Sequence, residues 1–228
     1  MFFDPLYFVF LAPALILSLW AQIKVKRAVK RYSKVASSSG MTGAQVAQAI
    51  LDANGIGGVR IEAVSGNLTD HYDPSQRVLR LSETVYGSRS VTAAGIAAHE
   101  VGHALQHAES YGPLVLRQTL APAASWGSNL SWILMLIGFF MESTGMIWGG
   151  IALFSVAVLF TLVTLPVEFD ASKRARDVLP RLGLVADSDR LGVIKVLNAA
   201  AMTYVAAAAT AILQLLYFVL RATAGSRD

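Results

Sequence analysis

His99, Glu100 and His103 lie in the stretch AAHEVGHALQHAES, residues 97–110, which holds three of the chain's four histidines. Residues four apart on an α-helix share one face, so His99 and His103 can offer two imidazoles to a single ion. Glu100 then stands beside the coordination position left open. Zinc held by two histidines and a carboxylate lowers the pKa of a bound water toward neutrality. An adjacent carboxylate accepts the proton of that water as it attacks a carbonyl, then delivers it to the leaving amine. The spacing His-Glu-x-x-His therefore points to metal-assisted hydrolysis of amide bonds with Glu100 as the base. The chain has no cysteine, so thiolate ligands and disulfides are both excluded. His, Asp and Glu remain to hold a metal, a donor set that favours zinc.

The third ligand must come from elsewhere. His107, eight residues after His99, lies on the same helical face one turn beyond His103, and reads as a satisfied polar group or a partner of a ligand. A carboxylate is the better candidate, and TLPVEFDASKRARDVL offers Glu168 and Asp170. Both follow directly on a long apolar run. Glu168 reads as the ligand, with a salt-bridged interfacial turn involving Lys173, Arg174 and Arg176 as the alternative. Asp170 reads as a partner behind the ligands, since residues two apart cannot point the same way on one helix. Pro166 stands where a span can end and a new helix begin.

The elements that must position these groups are mostly apolar. The 228 residues are 54% hydrophobic and 15% charged, with mean hydropathy +0.52. Soluble domains carry about a quarter charged residues, so the balance points to a membrane protein. Apolar segments at about 6–23, 119–141, 145–166 and 198–220 are each long enough to span the roughly 30 Å hydrocarbon core. ESTG, residues 142–145, separates the second from the third as the turn of a hairpin. The N-terminal segment has no basic region before its apolar run and no small-residue cleavage site, so a removed signal peptide is not expected. Of the 19 Lys and Arg, 11 fall in 24–118 and 6 in 167–197, leaving Arg221 and Arg227. The positive-inside rule then places both loops in the cytoplasm and both termini outside. The cluster Lys24, Lys26, Arg27, Lys30, Arg31 and Lys34 reads as an orientation signal and a contact for anionic lipid, not for nucleic acid.

Within 24–118 the sequence predicts a small α+β unit. MTGAQVAQAILDANG is a short amphipathic helix with Thr42 as N-cap and Gly55 as its end. GVRIEAVS and RVLRLSETVY are strands, joined by NLTDHYDPSQ as a turn-rich connection. The histidine helix starts after Ser90 and ends near Gly112. Asn198 and Tyr204 are polar groups at the start of the last span, which either line a cleft or join helices.

LTDHYDPSQRVLRLSETVYGSRSVTAAGIAAHEVGHALQHA, LPVEFDASKRA and VLNAAAMTYVAAAATAILQLLYFVL together resemble the neutral zinc metallopeptidases of bacterial membranes, the YugP-type family. The similarity runs over almost the whole chain. It implies a mainly α, integral-membrane peptidase of the bacterial inner membrane, forming one domain over 1–228. Four transmembrane helices would carry a zincin-like unit with the His-Glu-x-x-His helix on the cytoplasmic side. The resemblance implies one Zn2+ ion, with His99, His103 and Glu168 as ligands and Glu100 as base. It implies a peptide or membrane-protein substrate, with the bilayer as the other partner. Gluzincin relatives place an acidic residue four after the ligand glutamate to brace a ligand histidine; here that position is Ser172.

His71 and Tyr72, in DHYDP, could reach the site and stabilise a tetrahedral oxyanion. A turn held by Asp70 and Asp73 explains the same residues. The strand RVLRLS could present an edge to an extended substrate, or be an ordinary half-buried strand with Leu79 and Leu81 on one face and Arg80 on the other. The competing function is a membrane scaffold whose metal site is closed by four protein ligands, His107 being the fourth.

Overall fold

The structure is a computed structural model and describes residues 5–224. The chain ends, including Arg227, lie outside the described residues. Among the described residues, seven helices and three strands follow in the order α1 Pro5–Tyr32, α2 Gly43–Ala53, β1 Arg60–Val64, β2 His71–Asp73, β3 Val78–Ser82, α3 Glu83–Tyr86, α4 Val91–Ala108, α5 Gly112–Phe140, α6 Thr144–Arg181 and α7 Asp187–Ala224.

The chain divides into two compact units. Of the described residues, one comprises 5–21, 115–166 and 203–224; the other comprises 22–114 and 167–202. In the first unit, Met135, Ile151, Phe154, Val158, Tyr217 and Phe218 form the buried cluster, with Tyr7 and Phe10 packed against it. Tyr7 meets Tyr217 edge to face at 4.9 Å between ring centres. Helices α1, α5, α6 and α7 are each long and apolar enough to cross a membrane, and only 17% to 33% of their most apolar windows is buried within the protein. Apolar side chains left outward in that proportion suit a lipid solvent, where no aqueous penalty attaches to them. The α5–α6 turn falls at Glu142, whose φ of 53° reverses the chain between Phe140 and Thr144, as the hairpin reading expects.

Helices α6 and α7 outrun the expected spans. A helix of 38 residues is roughly 57 Å long, against about 30 Å of hydrocarbon. The segment 167–197, expected as a loop, consists of the two helix ends and a short turn. α6 passes through Pro166 without a break. Proline removes one N–H and so one helical bond, a loss long apolar helices tolerate. The helix stops instead at Gly183, with φ +66°, where the amides of Leu184 and Gly183 bond to the carbonyls of Leu179 and Pro180. That pair of bonds closes the last turn and needs the left-handed backbone glycine supplies.

The second unit is built around α4. Thr42 caps α2 through a reciprocal pair with Gln45, and Ser90 caps α4 by accepting from the Ala93 amide. Val46, Ile50 and Leu51 of α2, Leu79 and Leu81 of β3, Ala94, Ala97, Ala98 and Val101 of α4, and Val178, Leu179, Val193 and Leu197 share one core. Each large side chain so buried contributes about 1.5–3 kcal/mol. α4 ends at Ala108, four residues short of the expected end, in a turn through Ser110.

The sheet differs from the expected strand pair. β1 and β3 do pair, but parallel, and a third strand, β2, pairs antiparallel with β3 to give the order β1-β3-β2. β2 lies inside the segment expected to be a connection, because three residues carry too little alternation to signal a strand. Asp73 shapes the β2–β3 turn. The Ser75 hydroxyl, then the Gln76 amide, hold its carboxyl down to about 2 despite some desolvation. β3 has partners on both sides, so it offers no free edge to a substrate. The residues after Ser82, expected to extend β3, turn into α3.

Candidate metal centre

His99, Glu100 and His103 all lie on α4, and Glu168 lies on α6. α4 and α6 approach closely because Gly102 stands between the two histidines. A Cβ there would meet the Ala171 carbonyl oxygen at 2.8 Å and its Cα at 3.1 Å. This approach brings Glu168 Oε2 to 3.2 Å from His99 Nε2 and 3.6 Å from His103 Nε2. Among the described residues, His99, His103 and Glu168 form a group whose ligand atoms all lie within 4.8 Å of one another. The two rings stand nearly perpendicular, 4.9 Å apart. Two imidazole nitrogens and one carboxylate oxygen this close together fit a zinc ion, whose bonds to such atoms are about 2.0–2.2 Å. Three atoms leave a fourth tetrahedral position.

The site is largely dry. Glu168 is 2% exposed, and Glu100 and His103 are also buried. Burial alone would lower the pKa of His103. The bond to Glu168 and the charges of Glu100 and Glu168 outweigh it, and the pKa is raised. Any proton His103 holds must leave before an ion binds. Metal binding is therefore expected to release a proton, and affinity to fall by about tenfold per pH unit below the raised pKa. Zinc titrations by calorimetry between pH 6 and 8, in buffers of different ionisation enthalpy, measure both. A flat affinity with no buffer dependence would contradict the assignment.

His99 and His103 each have a partner at Nδ1. His99 Nδ1 is 3.1 Å from Oγ of Ser172, the residue four after Glu168. Ser172 is one turn after Glu168 on α6 and shares its face. His103 Nδ1 is 3.0 Å from Oε1 of Gln106, a residue that nothing in the sequence alone marks out beyond its position three after His103. Asp170 does not touch a ligand histidine directly; it accepts from Gln106 at 2.9 Å and from Arg174 at 2.6 Å. Arg174 also reaches Glu109 at 2.8 Å, tying α6 to the end of α4. Of the two readings of this acidic pair, the salt bridge therefore applies to Asp170, which pairs with Arg174, while Glu168 faces the two histidines.

His71 is turned away. On a strand, neighbours point to opposite faces. Tyr72 pairs with Leu79 and packs on the core, so His71 pairs with half-buried Arg80 on the other face. Its ring bonds the Thr69 carbonyl at 2.8 Å and meets Arg80 at 3.4 Å. Tyr72 instead reaches α4, with its hydroxyl 2.9 Å from His107 Nδ1. His107 is therefore engaged by a phenol and stands outside the three-residue group. Burial raises the Tyr72 pKa, with Arg77 lowering and Asp73 raising it, so the hydroxyl keeps its proton at neutral pH. Asp70 accepts from the amide and hydroxyl of Ser82, as the turn reading expects. Asn198 accepts from Arg176 at 3.0 Å and so joins α7 to α6.

The chain belongs to the family described as "Putative neutral zinc metallopeptidase", whose model matches residues 7–223. A relative from Bacillus subtilis (strain 168), "Putative membrane protease YugP", is 53% identical over 214 residues, covering 93% of this chain and 95% of its own. No solved structure matches.

Proposed function

We propose that this chain is an integral-membrane zinc endopeptidase with its active site on the cytoplasmic side. The observation that carries the reading is the convergence of His99, His103 and Glu168 ligand atoms within 4.8 Å, beside the buried carboxylate of Glu100. One zinc ion bound there supplies a Lewis acid that polarises a scissile carbonyl and acidifies a water. Glu100, next to His99 on α4, takes up the proton of the attacking water and passes it to the leaving nitrogen. Ser172 and Gln106 hold the two imidazoles in orientation. His71 is left out of the machinery, because the pleat turns it from α4.

The cytoplasmic side is supported by 11 of 19 basic residues in 24–118 and 6 in 167–197. A bacterial inner-membrane location rests on the family and on the four apolar helices. Substrates delivered along the bilayer suit Glu168, which follows the apolar run by two residues in the sequence. We read them as membrane-associated or misfolded protein segments. The scaffold alternative needs a fourth protein ligand, and its candidate, His107, is bonded to Tyr72.

The test is hydrolysis of unfolded and membrane-protein substrates by the zinc-loaded full chain in detergent, beside Glu100→Gln. Loss of the base is expected to lower the rate by about 10²–10⁴, with zinc retained, and chelation to stop the reaction. Equal product from wild type and Glu100→Gln, or none from either, would overturn the proposal.

A further inference from the structure

Gln106 is wholly buried one turn after His103, and its amide has one permitted orientation. The Nε2 atom lies 2.8 Å from the Val167 carbonyl and 2.9 Å from the Asp170 carboxylate, both of which accept hydrogen bonds. Arg174, 2.6 Å from the same Asp170 oxygen, fixes that carboxylate as an acceptor. The amide nitrogen must therefore face these two groups. The atom left to face His103 Nδ1, at 3.0 Å, is a carbonyl oxygen, which cannot donate. Nδ1 must carry the hydrogen, and the lone pair of the neutral ring is at Nε2, the atom facing Glu168.

We propose that Gln106 is a positioning residue of the metal centre. It transmits the polarity of the Val167 carbonyl and the Asp170–Arg174 pair to His103, and locks that imidazole in the tautomer that presents Nε2 to the ion. The proposal rests on the reading of the three-residue group as a zinc site. The two ligand histidines then differ in kind. Ser172 behind His99 has a hydroxyl that can donate or accept, so it holds the ring without choosing its tautomer. Gln106 chooses. An amide also stands between His103 and the negative charge of Asp170, so that charge does not rest directly on the ligand, as it would in a carboxylate–histidine pair.

The experiment measures zinc affinity by chelator competition on the full chain in detergent, for wild type, Gln106→Met and the double variant Gln106→Glu/Asp170→Asn. Methionine keeps the volume but removes the acceptor, and is expected to weaken zinc binding about 10–100-fold. The double variant reverses the polarity of the contact at 170 and restores an acceptor for Nδ1–H, but sets a carboxylate oxygen against the Val167 carbonyl, and is expected to recover part of the affinity. Nitrogen-15 spectra of histidine-labelled, metal-free wild type at alkaline pH should show neutral His103 protonated at Nδ1, an answer that needs no variant to fold. If wild type binds zinc but Gln106→Met binds it equally well, or if neutral His103 carries its proton on Nε2, the role of Gln106 is overturned while the metal site stands. Wild type that binds no zinc removes the site reading and this proposal together.

Discussion

Glu168→Gln is expected to abolish tight zinc binding, and with it the rise in thermal stability that zinc confers on the wild type. Glutamine keeps the volume and the hydrogen-bonding reach of the side chain, so the metal-free fold should survive. What it removes is the negative charge at the point where two imidazoles converge, 3.2 and 3.6 Å away. A neutral amide oxygen is a far weaker zinc donor than a carboxylate. The loss should exceed the roughly 100-fold that removal of a partner behind a ligand costs. Zinc at a hundred times its Kd stabilises the wild type by about 2.7 kcal/mol through mass action. At the same zinc concentration the variant should gain almost nothing. Melting curves of both proteins in detergent, with and without zinc, make the comparison. A variant whose midpoint rises with zinc as much as the wild type's would remove Glu168 from the ligand set.

Gly102→Ala should destabilise the fold and spread the metal centre at once. On an exposed helix the change would be favourable, since alanine is better than glycine there by about 1 kcal/mol. Here the new methyl meets the Ala171 carbonyl oxygen at 2.8 Å and the Ala171 Cα at 3.1 Å, and both are backbone. No side chain can rotate away, so α4 and α6 must separate. Overpacking of this kind costs about 1–3 kcal/mol, which cancels or exceeds the propensity gain. The geometric effect is larger than the thermal one. Ala171 lies between Glu168 and Ser172, which face His103 and His99, so any separation lengthens both the ligand group and the Ser172 bond. A displacement approaching 1 Å would lower catalysis by about 10². Circular-dichroism melts and zinc affinity of Gly102→Ala are the measurements. A variant more stable than the wild type with unchanged affinity would show that the close approach is not what holds the site together.

Much of this was legible in the residues themselves. The caps Thr42 and Ser90, the turn at Glu142 and the four apolar helices are local features, readable from a residue type and a period. His99, Glu100 and His103 were legible for the same reason, because the helix that aligns them is one continuous segment. The candidates further away were legible as acids with Glu168 preferred as the third ligand, but not as contacts. Glu168 and Asp170 were both acids near the end of an apolar run; their different engagements depend on which face of α6 meets α4. β2 was missed because three residues have no measurable alternation, and with it went the pleat that turns His71 outward and Tyr72 inward. Gln106 was missed because glutamine on a helix face is ordinary until its partners are known, and those partners are 61 and 64 residues away.

The sequence by itself determined the chemistry on offer: two imidazoles and a base on one helical face, no thiolates, and apolar helices long enough for a bilayer. Only the tertiary structure decided which acid completes the group, that a hydroxyl and an amide stand behind the two histidines, and that His71 stays apart. Helical periodicity acts over a few residues and is written in them. The choice among distant acids depends on how closely two helices pack, and here that distance is set by a glycine whose missing side chain matters only once Ala171 lies against it.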